Sequence, residues 1–189
     1  MASTEPVRDK KHLRQMVKYW KKRENPRNQA LIVLAACTAL RISDLLKLTW
    51  ENVYDEAREK FRSHIILTER KTGKQKKIAL HSKVLNILHL CLSKRRGDFI
   101  FANNRKEEKA ICRQHAFRII SDTAKAVGLP APVSAHSLRK SFGYFAWKSG
   151  ISPTVLMDIY NHSSYEITRR YLGVQQDDRD AVYLNLALF

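Results

Sequence analysis

The amino-acid sequence predicts an α+β domain that is mostly helical and contains one small β-hairpin. Most segments repeat apolar residues at the spacing of a helix, and one segment alternates polar and apolar residues as a strand does. Glycine and proline are sparse, with 6 and 5 residues among 189, and most of them fall between these segments. A chain of this length usually forms one domain that needs no disulfide or metal for stability. We therefore expect residues 1–189 to form a single domain.

The first part of the chain predicts three helices. Residues 9–24 repeat apolar side chains at helical spacing, and residues 27–40 are apolar enough for a buried helix. Ser43 is a favourable N-cap for a short third helix that carries a cluster of leucines. Arg41 stands at the junction between the second and third helices, next to the predicted buried one.

Residues 61–80 differ from the helical segments. A β-rich run comes first, an alternating run follows, and Gly73 between them favours the tight turn of a β-hairpin. The end of this hairpin concentrates cations, namely Arg70, Lys71, Lys74, Lys76 and Lys77. So many positive charges at one end indicate that the hairpin points at an anion.

The second part of the chain predicts five more helices and a tail. Ser82 is expected to cap the first of them, and Phe117 is expected on the buried face of the second. Residues 177–189, acidic first and apolar last, are expected to form a tail helix, and residues 1–8 a disordered leader. The five helices cover residues 82–96, 109–127, 137–149, a segment opened by Ser152 and Pro153, and residues 165–172.

The charge of the chain indicates an anionic partner. Lysine and arginine number 35 against 18 aspartates and glutamates, which gives a formal net charge of +17. Nucleic acid is favoured over an anionic membrane, because no basic amphipathic helix stands apart from the fold. No run approaches the roughly 18 apolar residues of a membrane span, and the N-terminus lacks the apolar core of a signal peptide. We expect a cytoplasmic protein; a basic soluble protein without such a partner is the alternative.

Cysteine and glycine patterns argue against several other kinds of site. The three cysteines, Cys37, Cys91 and Cys112, are odd in number and widely spaced, so neither a disulfide framework nor a Cys-x-x-Cys metal site is expected. The glycine patterns that bind nucleotide phosphates and dinucleotides are absent. The histidines show no metal-ligand spacing. The sequence therefore predicts no metal and no cofactor.

Six side chains from distant segments suit one kind of chemistry. Two guanidinium groups can hold the non-bridging oxygens of a phosphate. A tyrosine hydroxyl can attack phosphorus, while lysine and histidine side chains move protons. The set therefore suits a phosphodiester reaction without a metal. Its members are Arg41, Lys71, His136, Arg139, His162 and Tyr171.

The stretches that hold these residues resemble, in order, the motifs of the tyrosine recombinase or phage integrase family. TALRISDLLKLTW resembles its first arginine box, and TERKTGKQKKIAL resembles its hairpin box. AHSLRKSFG resembles the His-x-x-Arg box, and NHSSYEITRRYLG resembles the closing box. Each motif alone is short, but four in the expected order are specific together. The resemblance runs from about residue 7 to the C-terminus.

The resemblance implies the catalytic domain of a site-specific DNA recombinase. Tyr171 would attack the scissile phosphate, leaving a 3′-phosphotyrosine and a free 5′-hydroxyl. The bond energy stays in the phosphotyrosine, so neither ATP nor a metal is needed. Tyr160 and Tyr165 are rival nucleophiles, but the nine-residue step from His162 favours Tyr171.

The same resemblance implies roles for the other residues. Arg41 and Arg139 would hold the phosphate, and Lys71 would protonate the leaving oxygen. His136 and His162 would assist proton transfer and charge stabilisation. Asp44 would orient nearby groups. Side chains expected to contact DNA are Lys74, Lys76, Arg113, His115 and Arg118.

The sequence departs from the family pattern at a few positions. Tyr160 and Asn161 stand before His162 where the family usually has Leu-Gly, Ser137 stands where Asp is frequent, and Lys140 where His is frequent. Most members also have an N-terminal core-binding domain, and here only a short basic leader, residues 1–8, is expected before the catalytic domain. The chain is expected to be either an excised catalytic domain or a naturally short member.

The resemblance implies double-stranded DNA as partner and a bacterial, phage or mobile-element origin. It also implies a homotetramer on DNA in which residues 177–189 dock on a neighbouring protomer. Three other functions stay open: a non-catalytic DNA-binding regulator on the same fold, a type IB topoisomerase-like activity, and an RNase-like phosphodiesterase using His136 and His162. The DNA target, and the choice among integration, excision, inversion and resolution, are also open.

Overall fold

The computed structural model describes residues 4–69, 73–130 and 132–185. Within these ranges the chain is mainly helical, with two small antiparallel sheets, as predicted. The helices are α1 (Lys10–Lys21), α2 (Pro26–Cys37), α3 (Ile42–Leu45), α4 (Ser82–Leu92), α5 (Arg113–Ala126), α6 (Ala135–Lys148), α7 (Pro153–Tyr160), α8 (Tyr165–Leu172) and α9 (Gln176–Asn185). The strands are β1 (Tyr54–Asp55), β2 (Lys60–Phe61), β3 (His64–Thr68) and β4 (Gln75–Ala79).

The predicted β-hairpin is confirmed as β3 and β4. The two strands pair antiparallel, with Ile65 opposite Ile78, and Gly73 adopts a left-handed φ of 67° in the turn. Lys71 and its two neighbours lie outside the described residues. The second sheet, β1 with β2, was not predicted, because two-residue strands are too short to show an alternating pattern.

Two helix caps differ from the sequence prediction. The N-cap of α3 is Arg41, not Ser43, and the N-cap of α4 is His81, not Ser82. His81 Nδ1 accepts from the backbone amide of Lys83, which satisfies a free helix donor. Arg41 has extended backbone angles (φ −69°, ψ 147°), so its side chain projects from the residue just before the first turn of α3.

Helix α5 begins later than predicted, and one residue of its predicted buried face is exposed. Phe117 is 52% exposed, so its predicted burial is wrong. Ile120 and Ala124, predicted on the same face, are buried, and so is Ala116 next to Phe117. Successive helical residues are separated by about 100°, so a residue next to Ala116 faces solvent.

Two apolar clusters hold the fold together. The larger one surrounds α2, whose Leu31 and Leu34 are fully buried among side chains of the other N-terminal helices and α6. The smaller one consists of Ala39, Leu156, Tyr160 and Leu172, contributed by the segment after α2 and by α7 and α8. Helix α6 packs on both α2 and α8, so it connects the two clusters.

Residues 6–8 form a strap across α6 and the end of α8. Val7 is buried and its amide donates to Ser141 Oγ at 2.8 Å. Arg8 Nη2 donates to the carbonyl of Gly173, directly after α8, at 2.7 Å. The expected disorder of residues 1–8 is therefore wrong for Val7 and Arg8.

The predicted tail helix is present as α9. Its last residues are strongly exposed, with Val182 at 62%, Tyr183 at 82% and Leu184 at 84%. Residues 186–189 lie outside the described part. Among the described helices, none has the length and apolar character needed to cross a membrane.

Candidate active site

The hydroxyl of Tyr171 is the meeting point of the candidate site. Helix α8 is amphipathic: Leu172 is buried, while the neighbouring Tyr171 is half-buried. Arg139 Nε donates to Tyr171 Oη at 3.0 Å, and His136 Nδ1 lies 3.2 Å from the same oxygen. Two residues that are more than 30 positions away in sequence therefore contact one tyrosine oxygen.

Arg139 is fixed by buried carbonyl groups. It lies on α6, which begins with a reciprocal cap between Ser134 and Ser137, and it is only 3% exposed. Nη1 donates to the carbonyl of Ala39, and Nη2 donates to the carbonyl of Tyr160 at 3.2 Å. An arginine has five N–H groups, so Arg139 keeps donors for a further acceptor.

Arg41 pairs with a carboxylate that the sequence analysis missed. Arg41 Nη1 donates to Glu69 Oε2 at 2.9 Å, and the Glu69 side chain is 2% exposed. The sequence analysis had chosen Asp44 as the supporting acid. Asp44 lies on α3 and is 4% exposed. A glutamate at the end of a β-rich run, next to a cationic turn, looks solvent-facing in the sequence, so no sequence signal marked Glu69.

The hairpin lysines take different positions. Lys74 is exposed, and its Nζ donates to Asn161 Oδ1 at 3.3 Å. Lys76 is turned inward: its Nζ donates to the carbonyl of Ile159 and lies 3.4 Å from Glu69 Oε1. Burial lowers the pKa of the Lys76 ammonium, and Glu69 opposes that shift. These internal partners of the ammonium argue against the predicted DNA contact of Lys76.

His162 is held as a neutral ring. It follows Asn161, whose left-handed φ of 54° ends α7, and its Nδ1 is hydrogen-bonded to Thr168 Oγ1 at 3.0 Å. The ring stacks on Tyr160 with 5.1 Å between centroids and 17° between planes. Burial, followed by the positive charge of Arg139, lowers the pKa of His162 to about 4. The ring is therefore uncharged at neutral pH.

His136 and Tyr171 are prepared for proton transfer. Burial, then the charges of Lys140 and Arg139, lower the pKa of His136, which favours a neutral ring with one accepting nitrogen. Burial raises the pKa of Tyr171, and Arg139 opposes that increase. The phenol is therefore protonated at rest, and the imidazole nitrogen beside it can accept its proton.

The two rival tyrosines are placed differently. Tyr160 is fully buried, and its hydroxyl donates to the backbone carbonyl of Arg139 at 2.8 Å. Tyr165 is 55% exposed at the first residue of α8. Tyr171 is the one among these three that lines the cavity holding the predicted catalytic residues.

That cavity gathers most of the predicted set. Its volume is about 480 Å³, and Arg113 lies at its wall. His115 and Arg118 lie further along α5, where Phe117 is also exposed. Among the described residues, no group of histidine, cysteine and acidic side chains could hold a metal ion. Five of the six predicted catalytic side chains line the cavity, namely Arg41, His136, Arg139, His162 and Tyr171, while Lys71 lies outside the described residues.

The fold and this cluster together define a class of protein. A mostly helical domain that gathers two arginines and two histidines around one tyrosine is the catalytic domain of a tyrosine recombinase.

Comparisons with known proteins agree with this class. The family model described as the phage integrase family matches residues 7–177, so the chain belongs to that family. Probable integrase/recombinase YoeC of Bacillus subtilis is 34% identical over 184 residues, covering 97% of each chain. Tyrosine recombinase XerD of Mycobacterium tuberculosis is 29% identical over 154 residues, covering 77% of this chain and 47% of that protein.

A solved structure supports the fold. The XerH site-specific recombinase, bound to its palindromic difH substrate in a post-cleavage complex, matches 98% of this chain with a TM-score of 0.77 at 17% identity. This chain covers 55% of that one. The chain thus spans nearly all of YoeC but about half of XerD and XerH.

Proposed function

We propose that the chain acts as the catalytic domain of a site-specific DNA recombinase. It cleaves and rejoins strands through a covalent 3′-phosphotyrosine. The observation that carries this proposal is the Tyr171 hydroxyl, 3.0 Å from Arg139 Nε and 3.2 Å from His136 Nδ1 at an open cavity. A nucleophile, a charge-stabilising donor and a proton acceptor are together at one point.

The cleavage step follows from this arrangement. The scissile phosphate enters the cavity, and the Tyr171 oxygen attacks phosphorus as His136 takes the phenol proton. A P–O bond to tyrosine forms, and the bond to the 5′ oxygen breaks, with the electron pair leaving on that oxygen. Lys71, by family resemblance, supplies the proton that makes the 5′-hydroxyl. Rejoining runs the same steps in reverse, with the 5′-hydroxyl of a second strand as nucleophile.

Fixed cations supply the charge stabilisation. Negative charge grows on the non-bridging oxygens during attack, and the guanidinium groups of Arg41 and Arg139 line the cavity where those oxygens would lie. Arg139 is held by two backbone carbonyls, so it need not reorganise during the reaction. One such preorganised donor contributes about 3–4 kcal/mol to catalysis. His162, neutral and stacked on Tyr160, donates or accepts a hydrogen bond beside them.

Double-stranded DNA is the proposed substrate. The net charge of +17 supports a polyanionic partner, and XerH is bound to a DNA substrate in its solved complex. Arg113, His115, Arg118 and the exposed Lys74 are the proposed DNA contacts. Residues 1–189 would form one catalytic domain that works in the cytoplasm of a bacterium, since the relatives named above are bacterial.

The exposed end of α9 supports assembly on DNA as a homotetramer. Val182, Tyr183 and Leu184 place apolar side chains in solvent at the end of the chain. Large exposed apolar patches mark interaction sites. Docking of this segment on a neighbouring protomer would bury them and tie assembly to α8, which lies just before α9.

A covalent trap tests the activity. DNA that binds the protein is first selected from a random duplex pool and then nicked at successive positions, so that cleavage releases a short strand and cannot reverse. Denaturation then reveals any protein–DNA adduct. We expect an adduct with the wild type and none with Tyr171→Phe. DNA affinity should change by less than about tenfold, because one hydroxyl contributes about 1 kcal/mol. Tyr165→Phe is the matched control and should still form the adduct.

Other outcomes separate the alternative functions. Tight, salt-sensitive DNA binding without any adduct would indicate a non-catalytic regulator and would contradict the proposal. Relaxation of supercoiled DNA without joining of two duplexes would indicate a topoisomerase-like enzyme. A cyclic phosphate released from RNA, with or without Tyr171, would indicate an RNase-like phosphodiesterase.

A further inference from the structure

Glu69 is a buried carboxylate that receives groups from three segments. It is 1% exposed and directly follows the last residue of β3. Oε2 accepts from Arg41 Nη1 at 2.9 Å and from Asn161 Nδ2 at 3.4 Å, while Oε1 lies 3.4 Å from Lys76 Nζ. Burial of a carboxylate is energetically unfavourable unless it is paired. Here the partners of the carboxylate belong to the candidate active site.

The backbone of the same residue closes the hairpin. The Glu69 amide donates to the carbonyl of Lys74 at 3.0 Å, and the Gly73 amide donates to the carbonyl of Glu69 at 2.8 Å. Through its backbone, Glu69 therefore joins the end of β3 to the residues that lead into β4.

Asn161 connects this carboxylate to the histidine loop. Its amide Nδ2 donates to Glu69, and its Oδ1 accepts from Lys74 Nζ at 3.3 Å. Asparagine is one of the few residues other than glycine that adopt the left-handed conformation readily, and Asn161 has φ 54°. At this position the chain departs from the glycine of the family pattern. The departure adds an amide side chain that a glycine lacks, directly before His162.

We propose that Glu69 is a positioning residue, with Asn161 as its partner. Together they fasten the hairpin and the His162 loop to Arg41. The carboxylate selects one orientation of a long arginine side chain, so that the Arg41 guanidinium faces the cavity. It also offsets the repulsion that Arg41 and Lys76 would exert on each other. This inference rests on the proposed function, because it assigns Arg41 to the scissile phosphate.

Glu69→Gln tests the role of the charge, because glutamine keeps the shape but loses the carboxylate. We expect the rate of adduct formation at saturating DNA to fall by roughly 10- to 100-fold, since small misplacement of a catalytic group has effects of that size. DNA affinity should stay within about threefold, because Glu69 is buried and does not face DNA. Glu107→Gln, which removes an exposed carboxylate paired with Arg96, is the matched control and should cleave at the wild-type rate.

A double-mutant cycle with Arg41→Ala separates positioning from general structural damage. If Glu69 acts through Arg41, Glu69→Gln should slow cleavage much less in the Arg41→Ala background than in the wild type. The same loss in both backgrounds would overturn the proposal. Asn161→Gly, which removes the partner amide, should reproduce part of the Glu69→Gln defect.

Limited proteolysis gives a readout that needs no activity. Release of the hairpin should speed trypsin cleavage within residues 70–77 of Glu69→Gln at least severalfold over the control, while thermal unfolding shows that the variant is folded. If Glu69→Gln does not fold, Asn161→Gly carries the same tests. If the wild type forms no adduct, the proposed recombinase function is refuted, and proteolysis still tests whether Glu69 fastens the hairpin. If the variants cleave DNA at the wild-type rate and their trypsin sensitivity is unchanged, the positioning role of Glu69 is refuted while the recombinase function stands.

Discussion

Gly143 lies where α6 presses against the helices that carry the site. A Cβ at this position would overlap the hydroxyl of Tyr160 and would lie 2.8 Å from Tyr160 Cε2 and 2.9 Å from Leu172 Cδ2. Ordinary contacts between carbon atoms are about 3.5–4.0 Å. Tyr160 and Leu172 are both fully buried, so neither side chain can move outward. Gly143→Ala is therefore expected to push α7 and α8 away from α6.

The net effect can be worked out from two opposing terms. Alanine in a helix interior is favoured over glycine by about 1 kcal/mol. Forcing a methyl group into a packed core costs about 1–3 kcal/mol. Simultaneous overlap with an aromatic ring and a buried leucine places this case at the upper end, so Gly143→Ala should lose about 1–2 kcal/mol. Leu172 adjoins Tyr171, so the proposed nucleophile should also shift, and a displacement near 1 Å can slow cleavage about a hundredfold.

Urea denaturation followed by circular dichroism measures the stability term, and the covalent trap measures the rate. The companion variant Tyr160→Phe removes the overlapping hydroxyl, so Gly143→Ala should cost less stability in the Tyr160→Phe background than in the wild type. A Gly143→Ala protein as stable as the wild type would refute the packing argument. So would an equal loss of stability in both backgrounds.

Two further predictions concern pH and the tail. The pKa of His162 is about 4 in the folded protein against about 6.5 when unfolded, so the unfolded chain binds its proton first as pH falls. The free energy of unfolding should therefore drop by about 1–2 kcal/mol between pH 6.5 and 4, allowing for partial exposure of the ring. In His162→Gln, urea titrations at each pH should show a shallower drop, and an identical slope would contradict the assignment. Deletion of residues 180–189 should spare DNA binding, measured by gel shift, and block strand exchange between two duplexes; equal loss of both would contradict the assembly role.

The sequence analysis succeeded where local patterns carry the information. The order of the helices, the hairpin and the closing of α8 at Gly173 all follow from apolar spacing and from residues that start or end helices. The predicted catalytic residues could be selected because each of their motifs is short and local, and five of them line one cavity. The convergence of Arg139 and His136 on the Tyr171 hydroxyl then follows from how α6 and α8 pack.

Residues whose role depends on distant partners were missed. Glu69 and Lys76 look like solvent-facing strand residues in the sequence, and only the approach of Arg41 and α7 makes them part of the site. The family resemblance pointed to Asp44 as the supporting acid. Arg41, however, precedes its helix with extended backbone, so its side chain reaches a different segment. Tyr160 is equally ordinary in sequence, because its stacking on His162 arises at the turn after α7.

The strap of residues 6–8 has a consequence for the order of folding. Arg8 and the carbonyl of Gly173 are 165 residues apart, and Val7 and Ser141 are 134 apart. Closing a long loop costs conformational entropy, so contacts between residues this far apart in sequence become favourable only after nearer contacts have formed. We therefore expect the end of α8 to gain its last contacts late, when both ends of the chain have met. A partly folded or still elongating chain would then lack an ordered Tyr171, which would tie the proposed strand cleavage to completion of the fold.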